Sequence, residues 1–309
     1  MEKSGIVVIT GPTATGKTLL GVLIAKAAGG EVVSADSMQI YKYMDIGTAK
    51  PTSDEKRGVP HHMLDIVPPW EAYSAARYIT DAARCVDDIL GRGKLPILVG
   101  GTGLYIDSLL SGRVFSAKGD DTLRRELESE YDDIGGDVML RRLAGFDPES
   151  AEKLHANDKK RIVRAIEVFE TSGKTISQHD RETKALPPRY DAIKIALTFS
   201  DRAELYTRID KRVDDMMRKG LEGEVRSLLD MGVSPGATSM QAIGYKEMTG
   251  AILGEISIGD AVDRIKMESR RYAKRQLTWL RRDDSVKWVA WDSSPDIEGF
   301  VGTMPWVRG

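Results

Sequence analysis

The chain has 309 residues, 41% of them hydrophobic and 30% charged, with a formal net charge of −2 at pH 7. This composition is ordinary for a globular protein and allows one large domain or two smaller ones. The single cysteine, Cys85, excludes an intramolecular disulfide and a cysteine-based zinc site, and the four histidines show no H-E-x-x-H spacing.

The N-terminus carries no pattern typical of secretion or membrane insertion. The chain enters an apolar stretch almost at once, without the basic region and cleavage site of a signal peptide. No apolar run approaches the roughly 18 residues that cross a bilayer. We therefore expect a soluble, cytoplasmic protein that does not contact membranes.

The first third of the chain alternates between short apolar runs and longer amphipathic stretches. "GIVVIT" (5–10), "EVVSAD" (31–36) and "LPILVGG" (95–101) are predicted to be buried strands. Between them, "KTLLGVLIAKAAG" and "YSAARYITDAARCVDDILGRG" are predicted to be helices that end at glycines. This alternation predicts an α/β fold: a P-loop NTPase-like parallel sheet flanked by helices, with ligands at the carboxyl ends of the strands.

The pattern changes near Ser116. Residues 116–190 are highly charged and have helical periodicity, so we predict a mostly helical insertion domain there. "AIKIALTF" (192–199) then predicts a return to the sheet, followed by helices from Asp201 to Arg282 and a last strand at "VKWVAW" (286–291). The predicted catalytic core therefore comprises residues 1–115 and 191–309, with C-terminal helices.

A phosphate-binding loop follows the first strand directly, because "GPTATGKT" fits G-x-x-x-x-G-K-[ST]. Glycines let several backbone N–H groups face one anion, and the next helix adds the positive end of its dipole. Lys17 adds a full charge, and Thr18 offers a hydroxyl to Mg²⁺. The predicted phosphate-binding residues are Gly11, Pro12, Thr13, Ala14, Thr15, Gly16, Lys17 and Thr18.

Two other strand ends are expected at the same edge of the sheet. Asp36 fits either a general base or metal ligand beside the phosphates, or a turn residue. An apolar run ending in Asp also resembles the Walker-B pattern, which leaves phosphoryl transfer open. "GGTGLY" (100–105) places Thr102 in a tight turn, where it either contacts substrate or caps the next helix.

Basic side chains occur in three later places. Arg208 and Arg212 share one helix face, from which they either reach the phosphate site or pair with neighbouring acids. "NDKKRIVR" (157–164) and "RIKMESRRYAKRQLTWLRR" (264–282) indicate a polyanionic partner such as a nucleic acid, the alternative being solvated helices.

The stretch "SADSMQIYKYMDIGTAKP" (34–51) resembles the tRNA dimethylallyltransferases, also called tRNA isopentenyltransferases. Similar stretches occur in family order across essentially the whole chain: "GPTATGKT", "PHHMLDI", "YSAARY", "LVGGTGLYI", "HANDKKRIVRAIEVF", "QAIGYKE" and "AKRQLTWLR". The resemblance is to the bacterial type, since a chain with one cysteine lacks the C-terminal zinc finger of some eukaryotic members.

The resemblance implies a prenyl transfer. The loop would hold the diphosphate of dimethylallyl diphosphate, and the five-carbon group would pass to the N6 amine of the adenosine immediately 3′ of the anticodon in tRNA. Asp36 would accept the amine's proton. Lys17, Arg212 and Mg²⁺ near Thr18 would stabilise the leaving diphosphate, and Thr102 would assist at the reacting phosphate end.

The resemblance also implies an RNA-binding surface. The target base would be extruded from the anticodon loop, and the insertion domain would contact the anticodon stem-loop. We expect a monomer, since tRNA can supply the partner surface. The residues implied in tRNA binding are Asp36, Ser37, Met38, Gln39, Arg124, Lys160, Arg161, Arg164, Gln241, Gly244, Tyr245, Lys246, Lys274, Arg275, Gln276, Trp279 and Arg281.

Three other functions are compatible with parts of the sequence. A P-loop small-molecule kinase would turn over ATP, but it needs no basic stretches. An RNA-binding NTPase or non-enzymatic RNA-binding module would bind nucleotide tightly and form no covalent product. An adenylate isopentenyltransferase would prenylate a free nucleotide, but the insertion and the "AKRQLTWLR" stretch favour tRNA.

Overall fold

One parallel sheet organises the part of the chain that the computed structural model describes, residues 5–113, 121–290 and 296–302. Its strands are β1 (Gly5–Thr10), β2 (Glu31–Ala35), β3 (His61–His62), β4 (Pro96–Gly100), β5 (Asp191–Thr198) and β6 (Lys287–Ala290). They lie in the order β3-β2-β4-β1-β5-β6, and every neighbouring pair is parallel. The predicted α/β fold with a parallel sheet is confirmed.

Helices connect and cover these strands. Those of the first half are α1 (Lys17–Ala28), α2 (Ser53–Lys56), α3 (Ala75–Gly91) and α4 (Gly103–Ser111), followed by α5 (Asp121–Ile134), α6 (Gly136–Ala144), α7 (Pro148–Ala151), α8 (Lys159–Ser172) and α9 (Ile176–Ala185). After β5 come α10 (Arg202–Arg218), α11 (Leu221–Asp230), a 3₁₀ turn (Ser239–Gln241), α12 (Tyr245–Ile252), α13 (Ile258–Leu280) and α14 (Ile297–Gly302). None of the helices in these described stretches is long and apolar enough to cross a membrane.

The central strands are apolar because helices cover both faces of the sheet. Val7 and Ile9 of β1 pack in one cluster with Leu20 of α1 and Ile97 of β4, all nearly inaccessible to solvent. A strand buried on both faces needs no alternation of polar and apolar residues. The same burial fixes the register, with Val8 opposite Leu98 on one side and Lys194 on the other.

The structure corrects several predicted boundaries. β2 ends at Ala35, so Asp36 is the first residue after the strand rather than its last. The helical stretch after Asp201 is interrupted, first where Gly220 has φ +97° and again before the 3₁₀ turn. The short strand β3 was not predicted, because two residues carry no periodicity. Trp291, the last residue of the predicted strand "VKWVAW", lies outside the described residues.

The chain divides into two compact units. The core unit comprises Met1–Leu110 and Tyr190–Gly309, and the helical unit comprises Ser111–Arg189. The sequence predicted that the helical domain begins at residue 116, which lies within residues 114–120 that are not described. The division falls earlier because α4 ends at Ser111, and Gly112 turns the chain with φ +67°.

The helical unit has its own apolar interior. Leu127 of α5, Met139 of α6 and Ile162 of α8 are buried in one cluster. At the same packing surface, the fully buried carboxylate of Glu167 accepts hydrogen bonds from Arg124 and pairs with Arg164 at 2.9 Å. Burial alone would raise the pKa of Glu167, but these two guanidinium groups hold that pKa below its usual value.

Candidate active site

The phosphate loop lies between β1 and α1, as its sequence predicts. Gly11 has φ +134° and approaches the backbone of Leu197 so closely that a Cβ would lie 2.4 Å from that residue's carbonyl oxygen. Gly16 has φ +84° at the start of α1. The Thr15 hydroxyl donates to the Pro12 carbonyl at 2.8 Å, which closes the loop upon itself. This conformation suits backbone capture of an anion.

Lys17 is the titrating charge of this loop. Its Nζ donates to the Pro12 carbonyl oxygen at 2.7 Å. Burial and then the nearby Arg212 lower the pKa of Lys17 to about 7, against a smaller opposing effect of Asp36. The pKa of Arg212 is also lowered, chiefly by burial. Two neighbouring cations that are buried and repel each other favour the binding of an anionic ligand.

Asp36 stabilises a turn and also lies at the cavity. Its Oδ1 accepts hydrogen bonds from the backbone N–H groups of Met38 at 2.9 Å and Gln39 at 3.4 Å. The carboxylate therefore stabilises the turn after β2, and it also lines the phosphate-loop cavity. Its role as general base stays a prediction.

Thr102 joins the ends of two neighbouring strands. Its N–H donates to the carbonyl of Ala35 at 3.2 Å, and its Oγ1 accepts from the N–H of Ser37 at 3.2 Å. The hydroxyl thus lies next to the Asp36 turn, although α4 begins at the following residue. Parallel strands that end at one edge bring these distant residues together.

Two adjoining cavities meet at Asp36. The first, of about 140 Å³, is lined by the phosphate loop. The second, of about 310 Å³, is lined by the apolar Ile209, Val213 and Ile265 together with polar residues. Both cavities are lined by Thr13, Asp36, Arg212 and Tyr272. An anion cradle therefore opens, past one carboxylate and one guanidinium, into a mixed polar and apolar channel.

Two residues of α13 complete the cradle. Gln276 is buried: its Oε1 accepts from the N–H of Thr13 at 3.0 Å, and its Nε2 donates to the carbonyl of Gly101 at 3.0 Å. Burial raises the pKa of Tyr272, one turn earlier, to about 12. Gln276 was predicted to bind tRNA, and this stays a prediction; in this structure its amide joins two loops of the core.

Tyr272 was missed as a cavity residue. In the sequence, Tyr272 could either stack on a base or, at helical spacing with Leu277 and Leu280, pack in the core, and the core was favoured. In the structure it is half-buried and lines both cavities. The usable signal was Gln276, one turn later, since a glutamine among apolar neighbours needs polar partners nearby.

The other residues predicted to bind tRNA differ in their accessibility. Ser37, Met38, Gln241 and Arg275 line the larger cavity. Gln39 lines the smaller one, where its Nε2 donates to the carbonyls of Thr48 at 3.3 Å and Ala49 at 3.2 Å, and its Oε1 accepts from the Ser34 hydroxyl. The exposed ones are Lys160, Arg161, Gln241, Lys246, Lys274, Arg275 and Arg281.

Three residues that were predicted to contact tRNA lie in the interior or have internal partners. Tyr245 is fully buried, with its hydroxyl donating to Glu224 at 2.6 Å. Gly244 is buried beside it, with φ +99° at the start of α12. Trp279 is half-buried, and its Nε1 donates to Asp107 at 2.7 Å. Each of the three therefore packs within the core unit.

Few side chains in the site could bind a metal ion. Among the described residues, no group of three or more His, Cys, Asp or Glu side chains forms a metal site. Thr18 and Asp36 both line the smaller cavity. A single hydroxyl fits Mg²⁺ that is bound mainly by phosphate oxygens and water.

The fold and the glycine loop define a protein with a P-loop NTPase-like fold, in which the loop's cavity adjoins a larger, partly apolar one. A family model described as IPP transferase matches residues 39–283, and one described as isopentenyl transferase matches residues 4–66. The chain belongs to the IPP transferase family.

Named relatives agree with this assignment. The chain is 48% identical over 300 residues to a tRNA dimethylallyltransferase of Acetivibrio thermocellus, covering 97% of this chain and 96% of the relative. It is 50% identical over 295 residues to one of Caldanaerobacter subterraneus subsp. tengcongensis, covering 95% and 94%.

Solved structures share the fold. A tRNA isopentenylpyrophosphate transferase of Staphylococcus epidermidis has 41% identity and a TM-score of 0.71, with 97% of each chain covered. A eukaryotic dimethylallyltransferase, crystallised as "acting on tRNA", has 29% identity and a TM-score of 0.79, with 94% of this chain and 74% of that chain covered.

Proposed function

We propose that the protein transfers the dimethylallyl group of dimethylallyl diphosphate to the N6 amine of the adenosine immediately 3′ of the anticodon in tRNA. The main support is the juncture of the two cavities at Asp36 and Arg212. A diphosphate in the cradle directs its organic part toward the larger cavity. A base entering that cavity from the opposite end meets the reacting carbon beside a carboxylate.

The bond changes follow from these positions. The bond between C1 of the dimethylallyl group and the diphosphate oxygen breaks, and its electron pair leaves with diphosphate. A new bond joins C1 to N6, and the amine proton passes to Asp36 and then to water. The N–H groups of the loop, Lys17 and Arg212 stabilise the charge that grows on the leaving diphosphate. Thr102 holds the turn that carries Asp36.

Mg²⁺ belongs to the proposal: the Thr18 hydroxyl and phosphate oxygens of the donor would hold it. When bound, such an ion neutralises the leaving group. The helical unit supplies the second part of the proposal, contacts to the anticodon stem-loop through Lys160 and Arg161. Both are exposed at the start of α8, so they can approach a phosphate backbone.

A monomeric state and a cytoplasmic location remain predictions. A free-nucleotide acceptor is the second candidate, since the larger cavity of about 310 Å³ could receive a base with or without its RNA.

The test supplies labelled dimethylallyl diphosphate, Mg²⁺ and unmodified tRNA, and locates the product by nuclease digestion and mass spectrometry. Asp36→Asn is the informative variant, because its amide oxygen can still accept from Met38 while the base is lost. We expect five carbons on the adenosine 3′ of the anticodon with wild type, and a rate at least about 100-fold lower with Asp36→Asn. Labelled AMP with unlabelled tRNA would favour the free-nucleotide reaction. ATP turnover without prenyl transfer would favour a kinase.

A further inference from the structure

A carboxylate outside both cavities organises the loop that follows the Asp36 turn. Glu224 of α11 accepts from the backbone N–H groups of Asp45 and Ile46 at 2.8 Å each, and of Gly47 at 3.1 Å. The fourth donor is the hydroxyl of Tyr245 at 2.6 Å. Two bonds reach each oxygen, so all four acceptor positions of the carboxylate are used. Hydrogen bonds to an ionised group are about twice as strong as neutral ones.

Packing adds to these hydrogen bonds. The ring of Tyr245 lies against Gly47, where an added Cβ would meet the ring at 2.4 Å. Tyr245 is fully buried although it opens a helix. Glu224 and Tyr245 therefore form one unit, here called the loop clamp, which joins α11 and α12 to residues 45–47.

The clamped loop continues into the walls of both cavities. Gly47 and Thr48 line the larger cavity, whereas Ala49 lines the smaller. The Thr48 hydroxyl donates to the carbonyl of Met44 at 2.7 Å, which closes the loop into a turn. The carbonyls of Thr48 and Ala49 then hold the amide of Gln39. A shift at residues 45–47 is thus transmitted to the wall where the acceptor base would lie.

The phosphate loop is held by other contacts. Thr15 and Lys17 donate to Pro12, and Gln276 accepts from Thr13. None of these bonds involves the clamped loop. The phosphate loop, which would hold the diphosphate, is therefore supported separately from the loop clamp, although Ala49 of the clamped loop lines part of the smaller cavity.

We propose that Glu224 is a positioning residue for the acceptor: the loop clamp sets the wall of the larger cavity so that the base's amine meets the reacting carbon. This inference rests on the proposed function. Reacting atoms must approach to about 3–3.5 Å, and a 1 Å misplacement can lower a rate about 100-fold. Loosening the clamp should therefore impair use of tRNA without weakening capture of the donor.

Two variants and a control test the clamp. Glu224→Gln keeps the size of the side chain but turns an N–H donor toward backbone donors. Tyr245→Phe removes one bond and leaves the loop N–H groups paired. Glu222→Gln is the control, since Glu222 lies on the same helix and pairs with Arg226 at 2.7 Å. Each is assayed for tRNA kinetics, for the Kd of dimethylallyl diphosphate without tRNA, and for hydrogen exchange of the amides of residues 45–47.

We expect Glu224→Gln to lower kcat/KM for tRNA at least about tenfold, with a smaller loss in Tyr245→Phe. The donor Kd should stay within about twofold, and exchange at residues 45–47 should accelerate. A merely structural role would weaken donor and acceptor alike.

Other results would contradict the proposed role of the loop clamp. One is equal tRNA kinetics in Glu224→Gln and Glu222→Gln; another is a matching loss of donor affinity. If Glu224→Gln fails to fold, unchanged kinetics and exchange in Tyr245→Phe contradict the inference. A wild-type enzyme that labels no tRNA would instead refute the proposed function, and the inference with it.

Discussion

Raising the pH should release the donor, because Lys17 loses its proton in the neutral range. Its pKa in the empty site is about 7, lowered first by burial and then by Arg212. Below pH 7 the ammonium is present and diphosphate meets two cations. Above pH 7 most empty sites contain a neutral amine, so binding must first take up a proton.

The size of the effect follows from the pKa. About 90% of Lys17 is charged at pH 6 and about 3% at pH 8.5. A bound diphosphate keeps the ammonium charged to a higher pH, since an adjacent anion favours the charged form. Affinity for the donor should therefore fall about 30-fold between these values, or about 2 kcal/mol.

The assay is equilibrium binding of inorganic diphosphate at fixed Mg²⁺ without tRNA, from pH 6 to 8.5. Lys17→Arg is the matched control, because a guanidinium stays charged throughout this range. Ionisation of diphosphate itself affects both proteins equally. The difference in slope between them therefore reports Lys17 alone. Parallel pH profiles in the two proteins would refute the lowered pKa and the electrostatic account of the cradle.

Three further predictions concern stability and RNA contact. Glu31→Gln should lower the free energy of unfolding by about 1–3 kcal/mol, because this buried carboxylate is paired with Arg92, Lys94 and His62. The pKa of Glu31 is held low, chiefly by Arg92. The stabilisation therefore exists above the unfolded pKa of about 4.3 and is lost as pH falls through the folded pKa. Lys160→Ala should leave the melting temperature unchanged while reducing the slope of log affinity for tRNA against log salt by about 0.7–0.9, whereas Arg124→Ala should also lower stability by about 1–3 kcal/mol. Gln276→Leu should weaken diphosphate binding at least about tenfold, because the N–H of Thr13 and the carbonyl of Gly101 lose their partner.

Each of these has a contrary outcome. The free energy of unfolding is measured by denaturant titration at several acidic pH values. If it falls equally with pH in wild type and in Glu31→Gln, Glu31 does not contribute to the pH dependence of stability. If the slope of log affinity for tRNA against log salt is unchanged in Lys160→Ala, Lys160 at the start of α8 does not contact RNA phosphates. Wild-type affinity in Gln276→Leu would mean that the phosphate loop keeps its shape without α13.

Local signals in the sequence predicted most of the sheet. β1 and β4 are continuous apolar runs bounded by glycine, and α1 lies between two glycines of positive φ. β3 escaped prediction because its two residues belong to the sheet only through pairing with β2. The turns after Asp201 were also missed, since helical periodicity continues across them.

The glycine loop and the turn at Asp36 could be predicted because each is formed by residues adjacent in the chain. Strand, glycine loop and helix follow one another, so backbone geometry there is local. Gln276 and Tyr245 show the opposite case. Both lie in motifs that suggested RNA contact, and both point inward, because the face of a helix that is buried depends on what packs against it.

The sequence by itself determined the parallel α/β core, the anion cradle and the family, because these depend on short-range patterns and on long strings of identical residues. Only the tertiary structure decided how the site is assembled. Thr13 and Gln276 meet across 263 residues, and Glu224 reaches Asp45 across 179. Such contacts are selected by the packing of whole helices against the sheet edge, and no local spacing encodes them.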